Sequence, residues 1–151
     1  MRIIDLFSGV GGLTFGFYYR KYKDHFVRNR KNQFVFANEY NPFAAKAYSE
    51  NYPDIPMKNC DIKSLKESDI RKWIGSEPVD LIIGGPPCQS FSTVGQRNYD
   101  EKAQLYTEYL RVLKIARPKM FLFENVRGIL SMREIFYKRD AAGNILYELK
   151  D

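Results

Sequence analysis

Five short apolar runs, each closing on glycine, proline, amide or acidic residues, restrict the folds open to this chain. Residues 2–7 include Ile3, Ile4, Leu6 and Phe7, and Ser8-Gly9-Val10-Gly11-Gly12 breaks the run. Phe34-Val35-Phe36-Ala37 ends in Asn38 and Glu39, and the stretch 55–62 holds a third, shorter strand. Val79-Asp80-Leu81-Ile82-Ile83 closes on Gly84-Gly85-Pro86-Pro87, and Met120-Phe121-Leu122-Phe123 closes on Glu124-Asn125. Short, nearly unbroken apolar runs mark strands covered on both faces, as in parallel sheets.

Helical signals separate the runs. One helix follows the glycines from Leu13 to Tyr19. A second starts near Pro42, well suited to a first turn, with Phe43, Ala44, Ala47 and Tyr48 on one side. A turn or two at 69–74 contains the sole tryptophan, Trp73. Leu105, Tyr109, Val112, Leu113 and Ala116 recur at helical spacing until Pro118 stops the helix. This alternation predicts an α/β fold with a parallel sheet and right-handed crossovers. Ligands of such sheets bind beyond the carboxyl ends of the strands, so Ser8–Gly12, Glu39, Asp61, Pro86–Ser92 and Glu124 should share one rim. The tail differs: Ile135, Phe136 and Tyr137, then Tyr147 and Leu149, flank Asp140-Ala141-Ala142-Gly143-Asn144, a pattern of two short strands joined by a turn.

Length and composition narrow the class further. A chain of 151 residues fits one domain, and 44% hydrophobic residues exclude global disorder. No apolar run approaches the roughly 18 residues that span a bilayer. Two cysteines, Cys60 and Cys88, argue against a disulfide framework and fit a reducing cytosol. The net charge of +6 favours a polyanionic partner. Arg20, Lys21, Lys23, Arg28, Arg30 and Lys31 face a single acid, Asp24, for a local charge of +5. They read as a solvated loop between the first helix and second strand, opposite the functional rim.

At the rim, the glycines of residues 9–12 follow a strand and open a helix, where glycine lets a backbone approach a ligand. They do not form the GxGxxG dinucleotide fingerprint. Glu39, ending the second strand, can accept from both hydroxyls of a ribose, Tyr40 can cover an adenine, and Asp61 can accept from its amino group. The alternative is that Glu39 and Asp61 are solvated loop acids. With no phosphate-binding lysine motif, the set suits a nucleoside bearing an amino-acid tail, such as S-adenosylmethionine, better than NAD or ATP.

Pro86-Pro87-Cys88-Gln89-Ser90-Phe91-Ser92 places a cysteine at the mouth of the sheet, stiffened by two prolines, where a thiolate can act as a nucleophile. A buried, inert thiol is the plain alternative. His25, the only histidine, lies far away in the charged loop, which argues against a Cys–His hydrolase. Cys60 reads as structural. Glu124 is the matching acid, expected beside an apolar wall of Phe121, Leu122 and Phe123 that favours its protonated form; otherwise it is a helix-cap acid.

Taken in order, residues 5–12, Glu39, the segment 86–92 and Glu124-Asn125-Val126 resemble the cytosine carbon-5 DNA methyltransferases over residues 2 to about 130. The resemblance implies a Rossmann-like S-adenosylmethionine-dependent methyltransferase fold, truncated, with the first five strands present and the last two missing. It implies a catalytic set of Cys88, Glu124 and Asn125: Cys88 adding to carbon 6 of cytosine, Glu124 protonating ring nitrogen 3, and Asn125 orienting the cysteine loop. The target base is flipped out of the DNA stack. S-Adenosylmethionine would be held by Phe7, Gly9, Gly11, Gly12, Glu39, Tyr40, Asp61, Ile62, Pro87 and Leu105, and DNA contacted by Gln89, Ser92, Arg97 and Lys102; no metal is implied.

The implied setting is the cytoplasm of a bacterium or phage-infected cell, within a restriction–modification system and at the nucleoid when on DNA. Residues 1–130 would form a partial cofactor-binding catalytic domain and 131–151 a hairpin-like tail. Lys102 and Ala103 depart from the arginine and small residue usual after Asp100. The paired-arginine motif, target-recognition region and last motif do not follow, which would leave the fifth strand as an open edge. The expectation is therefore a fragment, or one part of a split enzyme completed by a second polypeptide on double-stranded DNA, with little activity alone. Methylation of transfer-RNA cytosine, or a non-catalytic S-adenosylmethionine-binding or regulatory module, remain as alternatives.

Overall fold

Fully buried Ile3, Ile4 and Leu6 put β1 (Arg2–Leu6) in the middle of the sheet in the computed structural model. The structure describes residues 1–87 and 105–125, together with the backbone of 135–139 and 145–149. After β1 come α1 (Gly12–Tyr18), β2 (Tyr19–Tyr22), β3 (His25–Arg28), β4 (Gln33–Glu39), α2 (Pro42–Asn51) and β5 (Met57–Asn59). A 3-10 turn (Ile62–Ser64), α3 (Glu67–Ile74), β6 (Leu81–Gly84), α4 (Leu105–Ala116) and β7 (Met120–Phe123) follow.

The five-stranded sheet has the order β5-β4-β1-β6-β7, and every pairing is parallel. The chain first builds outward from β1 to β4 and β5, then returns to lay β6 and β7 on the other side. Strand order therefore reverses at β1, the place where open α/β sheets bind ligands. Period-two alternation divides the apolar side chains between two faces. Ile4, Leu6, Phe36 and Ile82 pack with Ile70 of α3 and Val112 and Ile115 of α4. Ile3, Phe34, Ala37, Leu81 and Ile83 pack with Tyr18 of α1 and Tyr48 of α2. Among the described residues β7 is an edge strand, with Met120 and Phe121 exposed.

In the tail, β8 (Ile135–Arg139) pairs antiparallel with β9 (Ile145–Leu149). Its connecting residues lie outside the described ones. The segment read as a charged loop is instead a second antiparallel hairpin, β2 with β3, in the register Tyr19↔Arg28 to Tyr22↔His25. One face rests on α1, where Phe26 meets the Phe15 ring edge-on at 5.1 Å. Arg28 anchors it: the guanidinium donates to the Asn29 and Asn32 carbonyls at 2.6 and 2.9 Å. It also pairs with Asp54 at 3.2 Å and lies 3.9 Å from the Tyr18 ring centre.

One buried polar group interrupts the apolar core. Asp5 is 1% exposed, and its Oδ2 accepts from the Thr14 hydroxyl and stands 3.5 Å from that of Tyr48; Oδ1 has no partner. The cluster joins β1, α1 and α2. Burial above all, with the Glu39 carboxylate adding repulsion, lifts the Asp5 carboxyl from 3.8 to about 7 against the pull of the two hydroxyls. The native state thus holds the proton more tightly than the unfolded chain, and stability due to Asp5 falls as pH rises from about 4 to about 7. We expect wild type to lose roughly 2–4 kcal/mol relative to Asp5→Asn over that window, read by urea unfolding at each pH. Parallel pH profiles for the two proteins would show that Asp5 titrates normally.

Candidate functional site

Where β1 ends, Phe7 adopts a left-handed backbone (φ 54°), and Gly9 (φ 55°) and Gly11 (φ 97°) complete a turn into α1. A side chain held in that region costs on the order of 1 kcal/mol and is a mark of functional loops. Phe7 faces a cleft of about 750 Å³ in the carboxyl rim of the sheet. Glu39, Tyr40, Asp61, Ile62, Pro87 and Leu105 also line it, so seven residues anticipated from sequence meet at the switch point. Asn38, Asn41, Lys63 and Gly85 complete the wall and were not anticipated.

Each wall residue is placed by backbone ends converging on β1. The Glu39 carboxylate accepts from Gly9 N–H at 2.8 Å and, on its other oxygen, from Asn41 N–H at 2.7 Å. Each oxygen keeps a lone pair, and the two are held in fixed orientation for paired hydroxyls. Asn41 in turn caps α2, accepting from the Phe43 and Ala44 amides at 2.9 and 3.2 Å. Asp61 accepts from Lys63 N–H at 2.9 Å as the cap of the 3-10 turn, and its second oxygen has no partner among the described residues. Buried Asn38 holds that loop by donating to the Lys58 and Cys60 carbonyls at 2.9 and 3.0 Å. The Tyr40 ring is 73% exposed, open to cover a planar ligand. Cys60 is half-buried beside Asn38 and does not line the cleft.

The other side of the rim joins β6 to β7. Glu124 N–H donates to the Gly84 carbonyl at 2.9 Å, and its carboxylate lies over Gly85, where an added Cβ would come within 2.7 Å of Oε2. Asn125 donates from Nδ2 to the Pro86 carbonyl at 3.0 Å, tying the end of β7 to the segment that leads to Cys88. Glu124 is exposed, so the apolar enclosure expected for it is absent among the described residues. The cause is the edge position of β7, which turns Phe121 and Leu122 toward solvent. Cys88, Gln89, Ser92, Arg97 and Lys102 lie outside the described residues.

Gly9, Gly11 and Gly12 do not line the cleft. The Tyr52 hydroxyl, just past α2, donates to the Gly11 carbonyl at 2.8 Å, and its ring covers the turn. Tyr52 meets Tyr18 edge-on and Tyr48 at a tilt, both at 4.8 Å between ring centres, so one aromatic cluster secures the turn. No motif marks Tyr52, and sequence reasoning missed it.

Comparison with known proteins follows the same outline. A family model described as C-5 cytosine-specific DNA methylase matches residues 1–149. The type II methyltransferase M.AgeI of Thalassovita gelatinovora is 42% identical over 135 residues, covering 87% of this chain and 29% of that protein. The type II methyltransferase M.DdeI of Desulfomicrobium norvegicum is 40% identical over 134 residues, covering 88% of this chain and 29% of that protein. A prophage-encoded E. coli protein described as a DNA modification methyltransferase has a crystal structure that superposes with a TM-score of 0.68. It is 34% identical, with 86% of this chain and 33% of that one covered. The chain thus spans about a third of the length of these proteins, and its parallel sheet is that of the methyltransferase fold.

The Tyr52 clamp sets what the glycine turn tolerates. At Gly11 a Cβ would fall 2.1 Å from Tyr52 Cε2, on a backbone that L-residues rarely adopt. At Gly12 nothing lies within 4 Å. Gly11→Ala should cost about 2–4 kcal/mol in urea unfolding, whereas Gly12→Ala, in the first turn of α1, should stay within about 1 kcal/mol of wild type. Equal effects at the two positions would show that the ring does not confine the turn.

Proposed function

The chain belongs to the C-5 cytosine-specific DNA methylase family, and from that premise we propose that its rim performs methyl transfer from S-adenosylmethionine to carbon 5 of cytosine in DNA. The observation that carries the reading is the cleft at the strand-order reversal, with a fixed Glu39 carboxylate in its wall and the Glu124–Asn125 pair held against Gly85 and Pro86 beside it. The wall fits the cofactor. Glu39 offers two oriented acceptors to the ribose hydroxyls, Tyr40 and Ile62 offer apolar surface to the adenine, and the second oxygen of Asp61 offers an acceptor to its amino group. When bound, S-adenosylmethionine supplies an activated methyl group.

The remaining work falls to this chain's side chains. Cys88 follows directly on Pro87 of the cleft wall, and its thiolate adds to carbon 6 of the flipped cytosine. Glu124 donates a proton to ring nitrogen 3, so the electrons pushed in by sulfur reach carbon 5 without building up a full negative charge. Asn125, through the Pro86 carbonyl, positions the loop that bears the sulfur. Once carbon 5 has taken the methyl group, leaving the demethylated cofactor behind, a base removes the carbon 5 proton, the sulfur departs from carbon 6 as thiolate, and the nitrogen 3 proton returns to Glu124, which restores the aromatic ring. Gln89, Ser92, Arg97 and Lys102 make the DNA contacts beside the target base.

Two measurements test this together. Titration calorimetry should show Glu39→Ala weakening S-adenosylmethionine binding by roughly 10–100-fold, the loss of hydrogen bonds to a charged group, while Cys88→Ser binds within a few-fold of wild type. DNA containing 5-fluorocytosine, which retains fluorine where the proton should leave, should trap a covalent adduct that vanishes in Cys88→Ser. Cofactor binding without an adduct, even after a candidate partner polypeptide is added, would assign a binding module instead, and a preference for transfer RNA bearing the same base would move the substrate to RNA.

A further inference from the structure

Nearly all of the chain's excess positive charge sits in twelve residues. The whole sequence carries +6, residues 20–31 carry +5, and the other 139 residues carry +1. The hairpin of β2 and β3 gives that charge a shape. Its cross-strand pairs place Arg20 with Val27 and Tyr22 with His25 on the side away from α1. Arg20, Tyr22 and His25 join Arg30 and Lys31 in lining one concave surface.

Arg28 alone among the six cations is engaged in holding the hairpin to the body, through Asp54 and the Tyr18 ring. Arg20, Lys21, Lys23, Arg30 and Lys31 are exposed, and among the described residues none of them forms an ion pair. Arg20 and Lys23 lie 5.7 and 5.8 Å from the Tyr22 ring centre, which keeps both cations beside the concave surface.

We propose that this face is a second nucleic-acid contact, a sequence-independent cradle for the sugar–phosphate backbone of duplex DNA. It lies at the end of the sheet opposite the cofactor cleft. Arg28 bonds to the Asn32 carbonyl immediately before β4, whereas the cleft lies beyond the far ends of the strands. Strands of five to seven residues separate the two by roughly 15–25 Å. The cradle therefore engages a different stretch of polyanion from the one that presents a base to the cleft. Five exposed cations on long side chains, with Asp24 the one acid of residues 20–31, suit phosphates, each neutralised with release of a condensed counterion. The contact requires neither cytosine nor cofactor and stands apart from the methyl-transfer reading.

The test uses the purified chain and a fluorescein-labelled 20-base-pair duplex of A·T pairs only, without S-adenosylmethionine. Fluorescence anisotropy is followed from about 50 to 200 mM salt. Replacing Arg20, Lys23, Arg30 and Lys31 together by Gln should reduce the slope of log affinity against log salt by about 3, and affinity near 100 mM salt by at least about tenfold. The thermal melt should be unchanged, since among the described residues these side chains form no ion pair within the fold; should the quadruple variant melt early, Arg30→Gln/Lys31→Gln carries the same test with about half the slope change. An unchanged slope overturns the proposal. So does a slope loss that appears only in Arg97→Gln/Lys102→Gln, or binding of the unaltered chain to anionic lipid vesicles but not to the duplex.

Discussion

The backbone leaving β1 must clear two parallel neighbours whose own chains run to opposite sides, and this divergence opens the cleft. A parallel strand hydrogen-bonded on both edges and covered on both faces cannot bend to accommodate a ligand. The turn after it must do so instead, which is why Phe7, Gly9 and Gly11 all take left-handed backbone angles. That turn is held at two points. Gly9 N–H reaches forward to Glu39, at the end of the adjacent strand, and the Gly11 carbonyl receives the Tyr52 hydroxyl. Release of either would free Glu39 or the turn, so the geometry of the cleft rests on contacts that extend from β1 through β4 to the end of α2.

The parallel sheet was legible because its signal is an unbroken apolar run followed by a polar stop, and β1, β4, β6 and β7 all carry that signal. The acids Glu39 and Asp61 were legible for the same reason, standing where the runs end. The hairpin of β2 and β3 gave no such signal. Tyr19, Arg20, Lys21 and Tyr22 have no apolar alternation, and the turn bends through Lys23 at φ 54° without the glycine or asparagine that usually marks it. Arg28 holds it in place through Asp54 and Tyr18, partners distant in sequence or separated by a turn. Tyr52 was hidden likewise: its hydroxyl partner lies forty-one residues earlier, and nothing local distinguishes it from a core tyrosine. Glu124 stands just past the end of β7, where the apolar run stops, but its surroundings depend on which strand flanks β7, a fact of topology rather than of local sequence.

Asp5 shows how far the same arrangement goes in opposing its own stability. A carboxyl deep in the core raises the free energy of its ionised form, and the nearby Glu39 charge adds to the penalty. An apolar residue there would pack without that cost, yet it could not bond Thr14 of α1 while facing Tyr48 of α2. Those bonds fix the rotation of both helices against β1, and α1 and α2 are the elements that follow the glycine turn and Glu39. The buried acid thus trades stability near neutral pH for a defined register between the two helices that follow the glycine turn and Glu39.

Charge follows a separate logic from the core. With +5 of +6 confined to residues 20–31, the long-range field of the molecule is set by a hairpin that adds nothing to the central sheet. A polyanion approaching from a distance responds to that field before it meets any base-reading group, because Coulombic attraction extends about 10 Å at moderate salt while hydrogen bonds act only on contact. The two proposals thus assign the sheet's two ends different kinds of binding. The carboxyl rim would confine a small ligand in fixed geometry, and the amino end would present to any sequence long cations that form no ion pair among the described residues. Such a division needs no communication through the sheet, since a duplex longer than the roughly 15–25 Å between the two ends can touch both.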